Sequence, residues 1–265
     1  MDYLENNRHL WDNKVDVHYG SDFYRMDEFR AGKSVLDEIA TRGVGDVSGK
    51  RILHLQCHFG LDSMSLLRLG AESVVGVDFS PKAIQRAREL AQEFDLNATF
   101  VESDVYSLPD LLAESFDLVF STFGAIPWLP DLDRWAEVVA RYVRPGGTFY
   151  MAEFHPTFYL FDFDRQRIEY QYFHQGYVET STGTYADRTA NLRETQHFWT
   201  HSLAETLQPL LNRGLQLETF TEYDWSPFNA FPNMHERAPG RFVLRPAGEV
   251  RLPHVFEAKF NRPIR

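Results

Sequence analysis

The residues with the most chemical promise sit at the ends of two short apolar runs. Ile52-Leu53-His54-Leu55-Gln56 leads into Cys57-His58-Phe59-Gly60, and Ser73-Val74-Val75-Gly76-Val77 ends on Asp78, 18 positions after Gly60. A glycine at a strand-to-helix turn lets the backbone approach a ligand closely. A carboxylate at the tip of the neighbouring strand can accept from both hydroxyls of a ribose. The pair therefore suits a nucleoside-bearing ligand, without separating a nicotinamide dinucleotide from an S-adenosyl compound. There is no G-x-G-x-x-G, which weighs against the dinucleotide, because a pyrophosphate needs several close N–H donors at a helix start. Proton acceptors are offered by histidines. His155 directly follows the fifth apolar run and is the first candidate for a base or an acceptor-orienting group, and His197 and His201 flank Trp199. Imidazole titrates near neutrality, as a base for an oxygen or nitrogen nucleophile must. A satisfied structural role competes for each of the three.

The elements that must position these groups are legible from periodicity. Residues 52–56, 73–78, 98–103, 116–121 and 148–154 read as near-continuous apolar strands. Helical patterns separate them: one through Leu66 and Leu69, one with Ser80 as N-cap and Pro81 at its first position, one opened by Asp131. Such alternation specifies a parallel sheet covered on both faces, and ligands bind where its strand order reverses. Residues 3–46 read as helices rich in aromatics, with Val35, Leu36 and Ile39 at helical spacing. The segment 155–200, dense in Tyr, Phe, His and Thr, breaks the rhythm and reads as an insertion over the strand ends. Ser202 and Glu205 form a capping box for a further helix. Two runs, 215–225 and 253–261, predict an antiparallel pair at the sheet edge.

Composition narrows the partners. The net charge of -11 gains nothing from counterion release on a polyanion, which excludes nucleic acid as the favoured substrate. No apolar stretch reaches the length of a membrane span, the amino-terminal residues lack a secretory pattern, and one cysteine, Cys57, leaves no internal disulfide. A cytoplasmic location and a small or neutral partner are expected. Oligomeric state is not legible.

The stretches ILHLQCHFG, VVGVDFSPKAI, FVESDVYSLP, FDLVFSTFGAIPWLPDL and VRPGGTFYMAEFHP, in this order, resemble the class I S-adenosylmethionine-dependent methyltransferases, and more closely a bacterial subgroup with an LQCHFG-type first loop. The resemblance covers roughly 50–155. It implies a doubly wound, Rossmann-like, mostly parallel seven-stranded α/β sheet with a terminal antiparallel strand pair. It further implies a helical lid segment at 1–48 and a cofactor domain at 49–265, with a substrate cap at about 155–200. S-adenosyl-L-methionine is the implied cofactor. Asp78 would hold its ribose, Phe79 would pack on adenine, and Asp104 would accept from the adenine amino group beside the Val105 N–H. Gln56, His58 and Gly60 would line the methionine end, with Ser80, Ser121 and Thr122 closing the site and Tyr24 folding over it as a lid. Simpler roles compete: Asp104 as a turn residue, His58 and Tyr24 as packing. Trp128, Leu132 and Trp135 read as core or rim. The family's acid-then-glycines motif is altered here, with His54 in place of the acid and Gln56 and His58 in place of two glycines.

In-line methyl transfer to a small-molecule acceptor is the function this implies. Ser121-Thr122-Phe123-Gly124 stands where base-amine methylating enzymes carry an Asn/Asp-Pro-Pro-aromatic stretch, so another acceptor is expected. A non-catalytic S-adenosylmethionine sensor and a nucleotide-dependent oxidoreductase are the alternatives. No metal site is expected.

Overall fold

The computed structural model describes residues 2–162, 167–244 and 250–264. Those parts of the insertion and of the late loop that fall at 163–166 and 245–249 lie outside the described residues.

Three helices open the chain: α1 (Tyr3–Tyr19), α2 (Met26–Arg30) and α3 (Glu38–Val44). Val35, Leu36 and Ile39 are all buried as their spacing predicts, but only Ile39 is helical; the other two precede the Asp37 cap in extended chain. α1 buries Asn7, Leu10, Lys14, Val15 and His18, a largely polar stripe that hydrophobic periodicity does not reveal.

Next come β1 (Arg51–Leu55), α4 (Leu61–Arg68), β2 (Ser73–Asp78), α5 (Pro81–Glu93), β3 (Ala98–Glu102), β4 (Phe116–Thr122), α6 (Leu132–Tyr142) and β5 (Val143–Phe154), alternating as expected. Local chemistry sets the helix starts. Ser80 Oγ accepts from Ala83 N over 3.0 Å with Pro81 behind it, and Asp131 accepts from Arg134 N over 3.0 Å. The remaining elements are β6 (Gln175–Thr182), β7 (Arg193–Thr200), α7 (Leu203–Asn212), β8 (Gln216–Tyr223), β9 (Met234–Ala238), β10 (Arg241–Leu244) and β11 (Val255–Asn261). The Ser202–Glu205 capping box is present at the start of α7.

Seven strands form one sheet in the order β3-β2-β1-β4-β5-β11-β8. The first five are parallel, and β11 is antiparallel to both its neighbours. The terminal antiparallel pair is therefore there, with β11 inserted beside β5 and β8 left at the edge. Between β8 and β11, where prolines, glycines and asparagines predict a loop, the chain forms the hairpin β9–β10. Strand order reverses between β1 and β4, so the loops leaving these strands diverge and open a crevice at their carboxyl ends.

The insertion is an antiparallel ribbon, β6–β7, and α1 lies along β7. Asn7 makes this docking specific. Its side-chain oxygen accepts from the His197 backbone N–H over 2.9 Å, and its amide donates to the His197 carbonyl over 2.7 Å, as a partner strand would.

Candidate active site

A cavity of about 610 Å³ occupies the crevice at the strand ends, under α1 and the β6–β7 ribbon. That volume falls in the range that encloses a drug-sized molecule. The predicted residues Tyr24, Gln56, His58, Gly60, Asp78, Phe79 and Thr122 all line it.

The β1–α4 loop shows how a glycine-poor sequence follows a glycine-type path. Gln56, His58 and Gly60 have φ of 57°, 50° and 79°, all left-handed. Two of the three carry side chains where such backbone normally favours glycine, at a cost of order 1 kcal/mol each. The backbone thus keeps its course and the side chains reach outward. Gln56 Nε2 donates to the Ala125 carbonyl over 2.9 Å, while its buried Oε1 has no hydrogen-bond partner among the described residues. His58 packs into a ring cluster with Trp11, His18, Tyr24 and Phe59. Its Nε2 lies 3.0 Å from His18 Nδ1, Tyr24 Oη lies 3.3 Å from that same atom, and the Tyr24 and Tyr185 hydroxyls share a hydrogen bond. Burial pushes the His58 pKa down to about 3 and that of His18 lower still, so both rings are neutral.

Asp78 closes the opposite wall. Its Oδ2 accepts from His58 N over 2.8 Å and its Oδ1 from Ser80 N over 3.0 Å. Burial lifts its pKa to about 6 against the lowering effect of these two N–H donors. Asp62, in the first turn of α4, accepts from Thr122 Oγ1 over 3.2 Å, and burial raises its pKa to about 6 as well. His54, in place of an acid on β1, is inert: it is buried, its Nδ1 pairs with Ser63 Oγ at 2.8 Å, and its pKa falls to about 3.

Other predicted positions lie elsewhere. His155 is outside the cavity and is corrected as a candidate base. Its Nδ1 bonds the Thr157 hydroxyl over 2.8 Å, and its Nε2 contacts Glu222 Oε1 at 2.8 Å as an ion-pair approach without an aligned hydrogen bond. Both partners hold it towards β8 and β11, and burial pushes its pKa down. His197 and His201 are structural too, bonded to Asn6 and to the Leu129 carbonyl. Asp104 is the turn residue of the simpler reading, accepting from Tyr106 N and Ser107 N. Val105 and Ser121 are buried in the core and in β4, and Ser80 caps α5 while donating to Asp12; none of the four lines the cavity. Leu132 and Trp135 are core as expected, but Trp128 lines the cavity.

Three groups are missed by sequence reasoning. Lys14 and Asp62 line the cavity from helices whose own patterns mark no site. Glu153, buried in β5, accepts from the backbone N–H groups of Gly124, Ala125, Ile126 and Phe154 at 2.6–3.0 Å and so fixes the loop after β4. An acid inside the apolar run TFYMAEF is the one sequence signal that points to it.

Comparison with known proteins places this geometry. Residues 52–147 match the family model described as a methyltransferase domain. A ubiquinone biosynthesis O-methyltransferase of Alkalilimnicola ehrlichii is 34% identical over 128 residues, 48% of this chain and 51% of that protein. A 2-methyl-6-phytyl-1,4-hydroquinone methyltransferase of Synechocystis is 30% identical over 150 residues, 55% of this chain and 46% of that one. The chain thus spans about half the length of the curated relatives it matches. A structure described as an S-adenosylmethionine-dependent methyltransferase from Mesorhizobium loti superposes with a TM-score of 0.55 at 22% identity, over 82% of this chain and 93% of that one. The fold is that of the S-adenosylmethionine-dependent methyltransferases. Within it, residues 52–147 are similar to the methyltransferase-domain family.

Proposed function

We propose that the protein is an S-adenosylmethionine-dependent methyltransferase acting on a small-molecule acceptor. Asp78 carries the reading: a buried carboxylate at the tip of β2, bonded to the loop leaving β1 and lining the cavity beside Phe79.

The residues present fit the cofactor. Lone pairs of Asp78 not used by its two N–H donors suit a ribose diol, and the Phe79 ring suits adenine. The unpartnered Gln56 Oε1 and the Asp62 carboxylate suit an ammonium group at the other end. When bound, the cofactor supplies a methyl group already activated by its sulfonium.

What remains for the chain is to align the acceptor and keep water out. Thr122 and the Glu153-held loop after β4 define one side of the reacting space. Phe123, Phe154, Tyr159, Phe198, Phe228 and Phe231 form a largely apolar wall beyond it. The histidines predicted as bases, His155, His197 and His201, are engaged elsewhere. That wall, together with relatives named for quinone-type acceptors, supports an aromatic or lipophilic acceptor. We read 1–48 and the β6–β7 ribbon as a jointly formed lid and cap, with a cytoplasmic location. Among the described residues no helix is long and apolar enough to cross a membrane.

Calorimetric titration of the purified protein with S-adenosylmethionine, S-adenosylhomocysteine and NAD tests the reading. Binding of both adenosyl compounds and not of NAD is expected; the reverse result removes the proposal.

A further inference from the structure

Lys14 is a buried cation with no counter-ion in direct contact among the described residues. It stands on α1 with 5% of its surface exposed and lines the cavity. Its Nζ lies 4.7 Å from the centre of the Trp11 ring and 5.5 Å from that of Trp128. Among the described residues it makes no hydrogen bond and has no carboxylate within ion-pair distance. The acids nearby are already engaged. Glu194, which acts on Lys14 through space, accepts from Asn13 Nδ2 over 2.7 Å and approaches His9. Asp37 caps α3 through Ile39 N and Ala40 N, Asp62 holds Thr122, Asp78 holds the His58 and Ser80 amides, and Glu179 holds Tyr170. The remaining titratable neighbours, His18 and His58, repel its charge where they are protonated and offer no anion where they are neutral.

Two aromatic faces attract an ammonium only weakly compared with what burial takes from its hydration. Buried charges in proteins are paired, and here no carboxylate among the described residues comes within ion-pair distance, Glu194 acting only from farther off. Burial draws the pKa of Lys14 down to about 8, which leaves it mainly protonated at neutral pH.

We propose that Lys14 is the counter-ion for a carboxylate carried by the molecule that fills this cavity. Trp11 and Trp128 meet edge to face with ring centres 5.3 Å apart, and both line the cavity beside the ammonium, an apolar flank for the group that carries the carboxylate. Two sources bear the same chemistry: the amino-acid end of the cofactor, and an acidic acceptor. The proposal deepens the methyl-transfer reading and rests on it only for the choice of nucleoside probes.

The test compares wild type with Lys14→Met, which keeps the stem's bulk and removes the charge. Because an unpaired buried charge is lost, the thermal midpoint of the unliganded variant is expected to stay level or rise. S-adenosylhomocysteine and 5′-methylthioadenosine, the same nucleoside without the amino-acid end, are titrated by calorimetry. Benzoate is then titrated into protein saturated with S-adenosylhomocysteine. If the cofactor supplies the carboxylate, Lys14→Met weakens S-adenosylhomocysteine about 10- to 100-fold and leaves methylthioadenosine within about twofold. If the acceptor supplies it, both nucleosides bind the variant normally, and benzoate binds the wild type but not Lys14→Met. Wild-type affinity of the variant for S-adenosylhomocysteine, joined with benzoate binding that is absent or equal in both proteins, overturns the proposal. A wild type that binds neither nucleoside sinks the methyl-transfer reading instead. Lys14 is then judged by benzoate quenching of Trp11 and Trp128 fluorescence in wild type, and equal quenching or none in both proteins overturns it.

Discussion

The backbone N–H of His58 donates to Asp78 Oδ2 over 2.8 Å. One carboxylate therefore ties the loop leaving β1 to the tip of β2, and through its other oxygen it holds the first turn of α5 at Ser80. The three chain segments at this end of the cavity are fixed by one side chain, so its replacement has separable consequences for binding and for folding.

Asp78→Asn keeps the shape, removes the charge and gives up one acceptor oxygen. S-adenosylhomocysteine affinity should fall about 10- to 100-fold, the range expected for losing hydrogen bonds to an ionised acceptor. Calorimetry reads this directly. An unchanged dissociation constant would separate Asp78 from the ligand.

Glu153→Gln tests the four-amide nest in β5. The glutamine amide turns donors towards donors, leaving buried N–H groups unpaired, at about 2–3 kcal/mol. The urea midpoint should drop accordingly; one within experimental error of wild type would show that the nest contributes nothing.

Gly60→Ala places a Cβ 2.6 Å from the Phe100 ring, at a φ of 79°. Left-handed strain and overpacking together should destabilise by about 2–4 kcal/mol. Denaturant unfolding gives the figure, and a loss below about 1 kcal/mol would contradict the packing described.

Acid sensitivity follows from His54. Its folded pKa of about 3 lies below the ordinary 6.5. The unfolded chain therefore binds a proton that the folded one refuses, and stability is lost as pH falls from about 6.5 towards 3. At pH 5 this amounts to about 2 kcal/mol relative to pH 8. Asp62 and Asp78 act in the opposite sense: with folded pKa values raised to about 6, they favour the folded chain as pH falls from 6 towards 4. Comparing His54→Asn with wild type between pH 8 and pH 5 isolates the histidine, and the variant should show the shallower decline. Parallel curves would refute the assignment.

Asn7→Ala strips both partners from the His197 peptide group. The docking of α1 on β7 should weaken by about 1–3 kcal/mol, and amide hydrogen exchange through α1 should speed up ahead of the sheet. Exchange at wild-type rates would mean that the other contacts of α1 with β7, those of Asn6, Asn13 and Tyr3, hold the helix without Asn7.

Much of the fold was written in the sequence because its causes are local. Five apolar runs, the Ser80, Asp131 and Ser202 caps, and the placing of Asp78 at a strand tip all depend on residues within a few positions of one another. These suffice to order a parallel sheet and to locate its switch point. The side chains around the cavity answer to a different cause. Whether His155 faces the crevice or Glu222 depends on how β11 joins β5 to β8, and whether Asp104 meets a ligand or its own turn depends on hydrogen bonds the pattern does not encode. Lys14 is invisible as a site residue until α1 is laid on β7 by Asn7, because a polar stripe on a helix reads as a solvated face. Pairing between distant segments is decided by packing, and only the tertiary structure brought Lys14, Asp62 and Tyr185 to the loop that Gln56 and His58 had already marked.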